Sequence, residues 1–169
     1  MVEVIVVGEN IAIVGHNQYK EDLLDHLNSR ILQQDVSMRD ISDFNKVYIS
    51  FDEYPMSNEI TVVQTFRGWI LVAPTSQQVE STLTEKEFNQ YRVDHLIPHQ
   101  GFEITPAYHP FNCGLHNLVH EAKGCYIGQE ILTRMRSRNN TGKALHRVEG
   151  EQEDATTTGN THSLVIRRI

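Results

Sequence analysis

The sequence predicts an α+β fold in which mixed or antiparallel sheets carry flanking helices. Three observations predict it. Short β-branched runs such as Val2 to Val7 and Ile60 to Phe66 are bounded by turn residues. Apolar residues recur at helical spacing between Tyr19 and Leu32. A length of 169 residues with 39% hydrophobic and 22% charged content describes an ordinary soluble chain that buries one good core without staples.

Taken in order, Val2 to Val7 and Ile11 to Val14 read as a hairpin turning at Gly8-Glu9-Asn10. A helix follows, with Asn17 as its cap and Tyr19, Leu23, Leu24, Leu27, Ile31 and Leu32 as its apolar face. Val36 to Arg39, Val47 to Phe51, Ile60 to Phe66 and Trp69 to Ala73 read as strands, the last two joined across Arg67-Gly68. Thr84-Glu85-Lys86-Glu87 is a capping box that opens a helix carrying Phe88, Tyr91 and Val93 or His95, and this helix stops before Pro98. Pro98 to Gly128 is rich in Gly, Pro, Asn and His and reads as loops approaching a site, with a helical turn from Leu115 to His120. Gly128-Gln129-Glu130 starts a helix running to Arg134, an amphipathic element spans Ile131 to Met135, and Asn139 to Gly142 is a turn. Glu151 to Asn160 reads as a polar loop and Leu164 to Ile166 as a short strand.

No apolar run approaches the ~20 residues needed to cross a bilayer, so no membrane partner is expected. The N-terminus lacks the basic segment of a signal peptide, and Cys113 and Cys125 alone do not make a disulfide framework, so a reducing cytoplasmic location is expected. A net charge of −7 argues against broad nucleic-acid binding, which needs basic surface to displace counterions. The charge is uneven, however. Lys123, Arg134, Arg136, Arg138, Lys143, His146 and Arg147 face a single acid, Glu130, between residues 123 and 147, a local field suited to an anionic small molecule or an acidic partner.

Within that segment lies KGCYIGQE, residues 123–130. A cysteine acts through its thiolate, which a neighbouring cation or a helix N-terminus favours. Lys123 stands two residues before Cys125, and the helix begins just after it. Gly124 and Gly128 permit sharp turns and close backbone approach. The same loop is also compatible with a small cysteine packed inside a structural turn. Six histidines, His95, His99, His109, His116, His120 and His146, are available to partner a thiol, and sequence selects none of them. Cys113, His116, His120 and Cys125 are zinc-type ligands, but no paired CxxC knuckle is present and no metal site is expected. Asp94 and Glu103 flank the Pro98 to Gly101 turn as carboxylates able to accept hydrogen bonds from an amino-heterocycle in a pocket.

KGCYIGQE resembles the signature K-G-C-Y-x-G-Q-E of the YgfZ-type folate-binding proteins, relatives of the glycine-cleavage T-protein (aminomethyltransferase), at eight contiguous positions. Upstream, Arg92, Asp94, Pro98, Gly101 and Glu103 fall on the family pattern R-x-E-x-G-x-P-x-x-G-x-E, and Pro110, Gly114 and Leu115 on its P-x-E-x-G-L segment. Residues 21–42 resemble the family's leucine-rich helix and following strand more weakly. The sequence departs where Asp94 stands for a glutamate, Leu96 for a glycine and Asn112 for an acid.

The resemblance implies a folate-binding core over residues 1–142, incomplete at the N-terminus, and a reduced C-terminal β segment over 143–169. It implies tetrahydrofolate or another reduced folate as cofactor, and a role in iron–sulfur cluster assembly or repair with iron–sulfur client proteins as partners. Cys125 and Lys123 then carry the chemistry; Asp94, Arg92, Tyr126, Gln129 and Glu130 serve the folate site; Gly124 and Gly128 shape the motif. The family's first strands have no counterpart before Val2, so a homo-oligomer completing the fold is an expectation. The relatives also keep open two alternatives, a folate-dependent aminomethyltransferase and an interaction module that binds no folate.

Overall fold

The computed structural model describes residues 1–120, 122–137 and 142–168. The fold is α+β, with three helices and three small antiparallel sheets among the described residues. The chain divides into two compact units, Met1–Thr82 and Leu83–Ile169.

In the first unit β1 (Glu3–Val7) and β2 (Asn10–Val14) form the expected hairpin, with Ile5 opposite Ala12 and buried. A 3-10 turn at Asn17–Tyr19 leads into α1 (Lys20–Asn28). Asn17 is part of that turn and does not cap the helix. The helix is also shorter than its apolar spacing predicts. Ser29 Oγ and Arg30 Nη1 both donate to the His26 carbonyl, at 2.9 and 2.7 Å, and so satisfy the last turn with side chains. Leu32, expected on the helix's apolar face, is 81% exposed.

Val36 to Arg39 form no strand. The segment leads to Asp40, which is held by Lys20 at 3.0 Å and by the Ser42 N–H at 2.9 Å. The remaining sheet of this unit has the order β3 (Asn45–Ser50), β5 (Gly68–Pro74), β4 (Thr61–Thr65). Its central strand supplies buried Ile70, Leu71 and Ala73. The β4–β5 turn is Phe66-Arg67, followed by Gly68 at φ +121°, where a Cβ would lie 2.5 Å from the Ser50 carbonyl oxygen. Only glycine suits that position.

In the second unit the Thr84 capping box is complete: the Glu87 N–H donates to Thr84 Oγ1 at 3.3 Å, and the Thr84 N–H to Glu87 Oε2 at 2.8 Å. It opens α2 (Glu85–Asp94). The helix closes in a Schellman arrangement, with the Ile97 N–H on the Arg92 carbonyl at 2.8 Å and the Leu96 N–H on the Val93 carbonyl at 3.4 Å. Leu96 takes φ +55°, the conformation that favours a glycine at this point of the motif.

A 3-10 turn at His116–Leu118 falls within the expected 115–120 segment, and α3 (Gln129–Ser137) covers both stretches assigned to helix beyond Gly128. Three strands complete the unit: β6 (Ala144–Glu149), β7 (Ala155–Thr158) and β8 (His162–Arg167), in the order β6-β8-β7. Four successive β8 residues, Ser163 to Ile166, are buried, as a central strand covered on both faces requires. The stretch read as a polar loop, Glu151 to Asn160, contains β7, whose Thr156 and Thr157 bond a buried acid. Residues 143–168 share this unit with α2 and α3. Of the expected Asn139 to Gly142 turn, residues 139–141 lie outside the described residues.

Candidate functional site

The residues singled out in sequence separate into three environments. The first is the polar centre of the second unit. Arg92 and Glu103 are fully buried and paired, Nη1 to Oε2, at 2.8 Å. Glu103 Oε2 also accepts the His99 N–H at 2.9 Å, and Oε1 accepts the hydroxyls of Thr156 and Thr157, each at 2.6 Å. Adjacent residues of a regular strand point to opposite faces, but β7 has a bulge between Ala155 and Thr157, which lets both hydroxyls reach one oxygen. The second Arg92 amino group donates to Thr157 Oγ1 at 2.8 Å and to Asn89 Oδ1 at 3.0 Å, while Phe102 and Phe88 cover the guanidinium.

Burial pushes the Glu103 carboxyl up, but the bonds from Thr156, Thr157 and His99 and the Arg92 charge outweigh it and hold the group below the ordinary carboxylate range. Cys113 donates its S–H to the Glu103 backbone carbonyl at 3.1 Å, and burial together with the Glu103 charge pushes its thiol up to about 11. Arg92, expected to serve a folate pocket, is therefore committed to internal partners. Cys113 is a buried thiol held in its protonated form.

The second environment is the exposed end of α2. Asp94 accepts from Gln90 Nε2 at 2.7 Å and pairs with Arg147 Nη2 at 3.0 Å. These partners, Gln90 first, hold its carboxyl below the usual range. Asp94 and Glu103, similar in sequence, thus occupy opposite surroundings.

The third is the KGCYIGQE loop and the start of α3. Cys125 is exposed. Lys123 Nζ lies 3.8 Å from the centroid of the Tyr126 ring. Gly128 adopts φ +86° to turn the chain into α3, so its glycine is conformational. Gly124 has no such angle, and nothing lies within 4 Å of where its Cβ would be, so the expected close approach is absent there. Glu130 pairs with Arg134 one turn further along α3.

Tyr126 and Gln129 wall a cleft of about 270 Å³ together with Phe111, His120, Thr133 and Arg136. Tyr126 and Gln129 also border a shallow, open depression along α3 that includes Glu130 and Arg134. Arg136 holds the cleft together: its Nη2 donates to the Val119 carbonyl at 3.0 Å, and its guanidinium lies 5.3 Å from the centroid of Phe111. Phe111 in turn stacks on His116 at 4.9 Å and 3°. Asn112 uses its amide in both directions, donating to the Lys143 carbonyl at 2.7 Å and accepting the His109 N–H at 3.2 Å, which a carboxylate could not do.

The structure therefore brings Lys123, Cys125, Tyr126, Gln129 and Glu130 onto one loop and helix start, and places Arg92 and Asp94 among other partners. Sequence reasoning missed Thr133 and Arg136 as cleft residues. Their signal was helical spacing, because Gln129, Leu132, Thr133 and Arg136 follow one face of α3. Among the described residues no three His, Cys, Asp or Glu side chains gather as a metal-binding group, and no helix is long and apolar enough to cross a membrane. The chain matches no family model, no curated protein and no solved structure with which it was compared.

Proposed function

We propose that the chain is a cytoplasmic reduced-folate-binding protein of the YgfZ type, in which the cleft beside α3 receives the pterin ring and Cys125 serves iron–sulfur client proteins. One observation carries this reading: the exposed Cys125 is joined directly to Tyr126, whose ring walls the cleft. The lining suits a flat, nitrogen-rich ring. Tyr126 supplies an aromatic residue to the lining, and the Gln129 amide can both donate to and accept from a heterocycle edge. A volume of about 270 Å³ is near the lower end of the ~300–1,000 Å³ common for ligand pockets, enough for a ring system and not for a whole folate.

Arg92 and Asp94 do not fit the folate role: neither lines the cleft, one is wholly buried in an ion pair and the other is paired with Arg147. Bound tetrahydrofolate supplies one-carbon carrier chemistry. The chain's own residues hold its ring, and Cys125, next to Tyr126 in sequence, supplies an exposed thiol.

Calorimetric titration of the whole chain with tetrahydrofolate tests the reading. Heat that disappears in Gln129→Ala, with the fold retained, supports it; no heat from the unaltered protein at high micromolar concentration removes it. Cys125→Ala then separates the roles. An iron–sulfur maturation factor loses its support of client activity while still binding folate, whereas an aminomethyltransferase keeps its rate.

A further inference from the structure

The Tyr126 ring serves two neighbours. It carries the Lys123 ammonium at 3.8 Å, and it walls the cleft with Gln129. Lys123 is also the cation nearest in sequence to the exposed Cys125, with only Gly124 between them. An ammonium resting on a ring is held by the ring's negative face, an attraction that competes with its pairing to a thiolate. Lysine has a flexible four-carbon stem, and Gly124, between the two residues, carries no side chain to restrict its backbone.

We propose that the Lys123–Tyr126 contact is an autoinhibitory latch: Lys123 rests on the ring in the empty protein, and a flat ligand that engages Tyr126 in the cleft releases the lysine to Cys125. Occupancy of the cleft thereby controls the reactivity of the thiol. The identity of the ligand rests on the folate reading above; the latch itself belongs to the chain.

The test is the rate at which iodoacetamide alkylates Cys125 at pH 7, followed by mass spectrometry of its peptide. In this reaction the thiolate sulfur forms a bond to the methylene carbon and iodide leaves. Tyr126→Leu removes the seat and is expected to speed alkylation about two- to fivefold, the population change that releasing an exposed cation–π contact allows. Tyr126→Phe keeps the ring and the original rate. Adding Lys123→Met to Tyr126→Leu returns the rate to that of Lys123→Met alone. A Tyr126→Leu protein no faster than the original, or a double variant as fast as Tyr126→Leu, overturns the latch.

Tetrahydrofolate added to the unaltered protein is expected to raise the rate, and not to raise it in Lys123→Met. Binding seen by calorimetry without any acceleration also overturns the latch. If calorimetry shows no binding, the folate reading fails by itself and the variants still decide the latch.

Discussion

Replacing Glu103 by glutamine tests the central claim about how the second unit is held together. The side chain keeps its size but loses its charge, while Arg92 remains buried with no compensating anion. The carboxylate accepts four hydrogen bonds, from Arg92, His99, Thr156 and Thr157. An amide presents two donors of its own to these donors. Breaking one side of a buried pair costs about 3–5 kcal/mol, a large part of the stability of a unit this size.

Urea denaturation followed by circular dichroism, with amide exchange measured in β7 and β8, reads the loss. The pH dependence has a definite sign. Because the folded carboxyl lies below its ordinary value of 4.5, its stabilisation is present above that pH and is lost as pH falls through the folded value. Glu103→Gln removes that acid-side slope. Replacing Arg92 and Glu103 together by leucine is expected to cost less than Glu103→Gln alone, since no charge is left stranded. A loss under ~1 kcal/mol for Glu103→Gln, or an unchanged acid slope, refutes the reasoning.

Three further outcomes follow from the geometry. Gly68→Ala is expected to destabilise the first unit by at least about 1–2 kcal/mol in denaturant melts, because φ is +121° and the new Cβ meets the Ser50 carbonyl oxygen. Leu96→Gly is expected to be about 1 kcal/mol more stable than Leu96→Ala, a comparison in which both lose the side chain and only alanine is strained at φ +55°; equal stabilities count against the Schellman assignment. A thiol reagent at pH 8 should modify one cysteine in the native protein and both in urea, since Cys125 is exposed while Cys113 is buried and pushed up to about 11.

Features written in adjacent residues were legible in the sequence. The Thr84 capping box and the β4–β5 connection depend on groups a few positions apart; the box forms as read, and the turn forms one residue earlier than Arg67-Gly68, at Phe66-Arg67. Where a polar side chain finds its partner outside the hydrophobic pattern, the reading failed. Alpha-helix α1 stops early because Ser29 and Arg30 take the His26 carbonyl, a competition that apolar spacing does not record. Strand β7 looked like a solvated loop because threonines look polar; the hydroxyls of Thr156 and Thr157 bond an acid 53 and 54 residues away.

The site was divided for a similar reason. Arg92 and Asp94 read as one group in sequence, yet residues two apart on a helix point to different faces, so one enters the core and the other meets solvent. The 123–130 residues stayed together because a single loop and the first turn of α3 hold them.

The Arg92–Glu103–Thr157 centre also sets an order of events during synthesis. Met1–Thr82 forms a compact unit with its own strand partners, so it can be folded while the rest is still being made. The second unit has no such head start. Its helix α2 and the turn to Glu103 emerge early, but the hydroxyls that satisfy them arrive with β7, 65 residues after Arg92. Until then the nascent chain carries a charged pair that cannot be sealed from water, and the unit should close in a single late step.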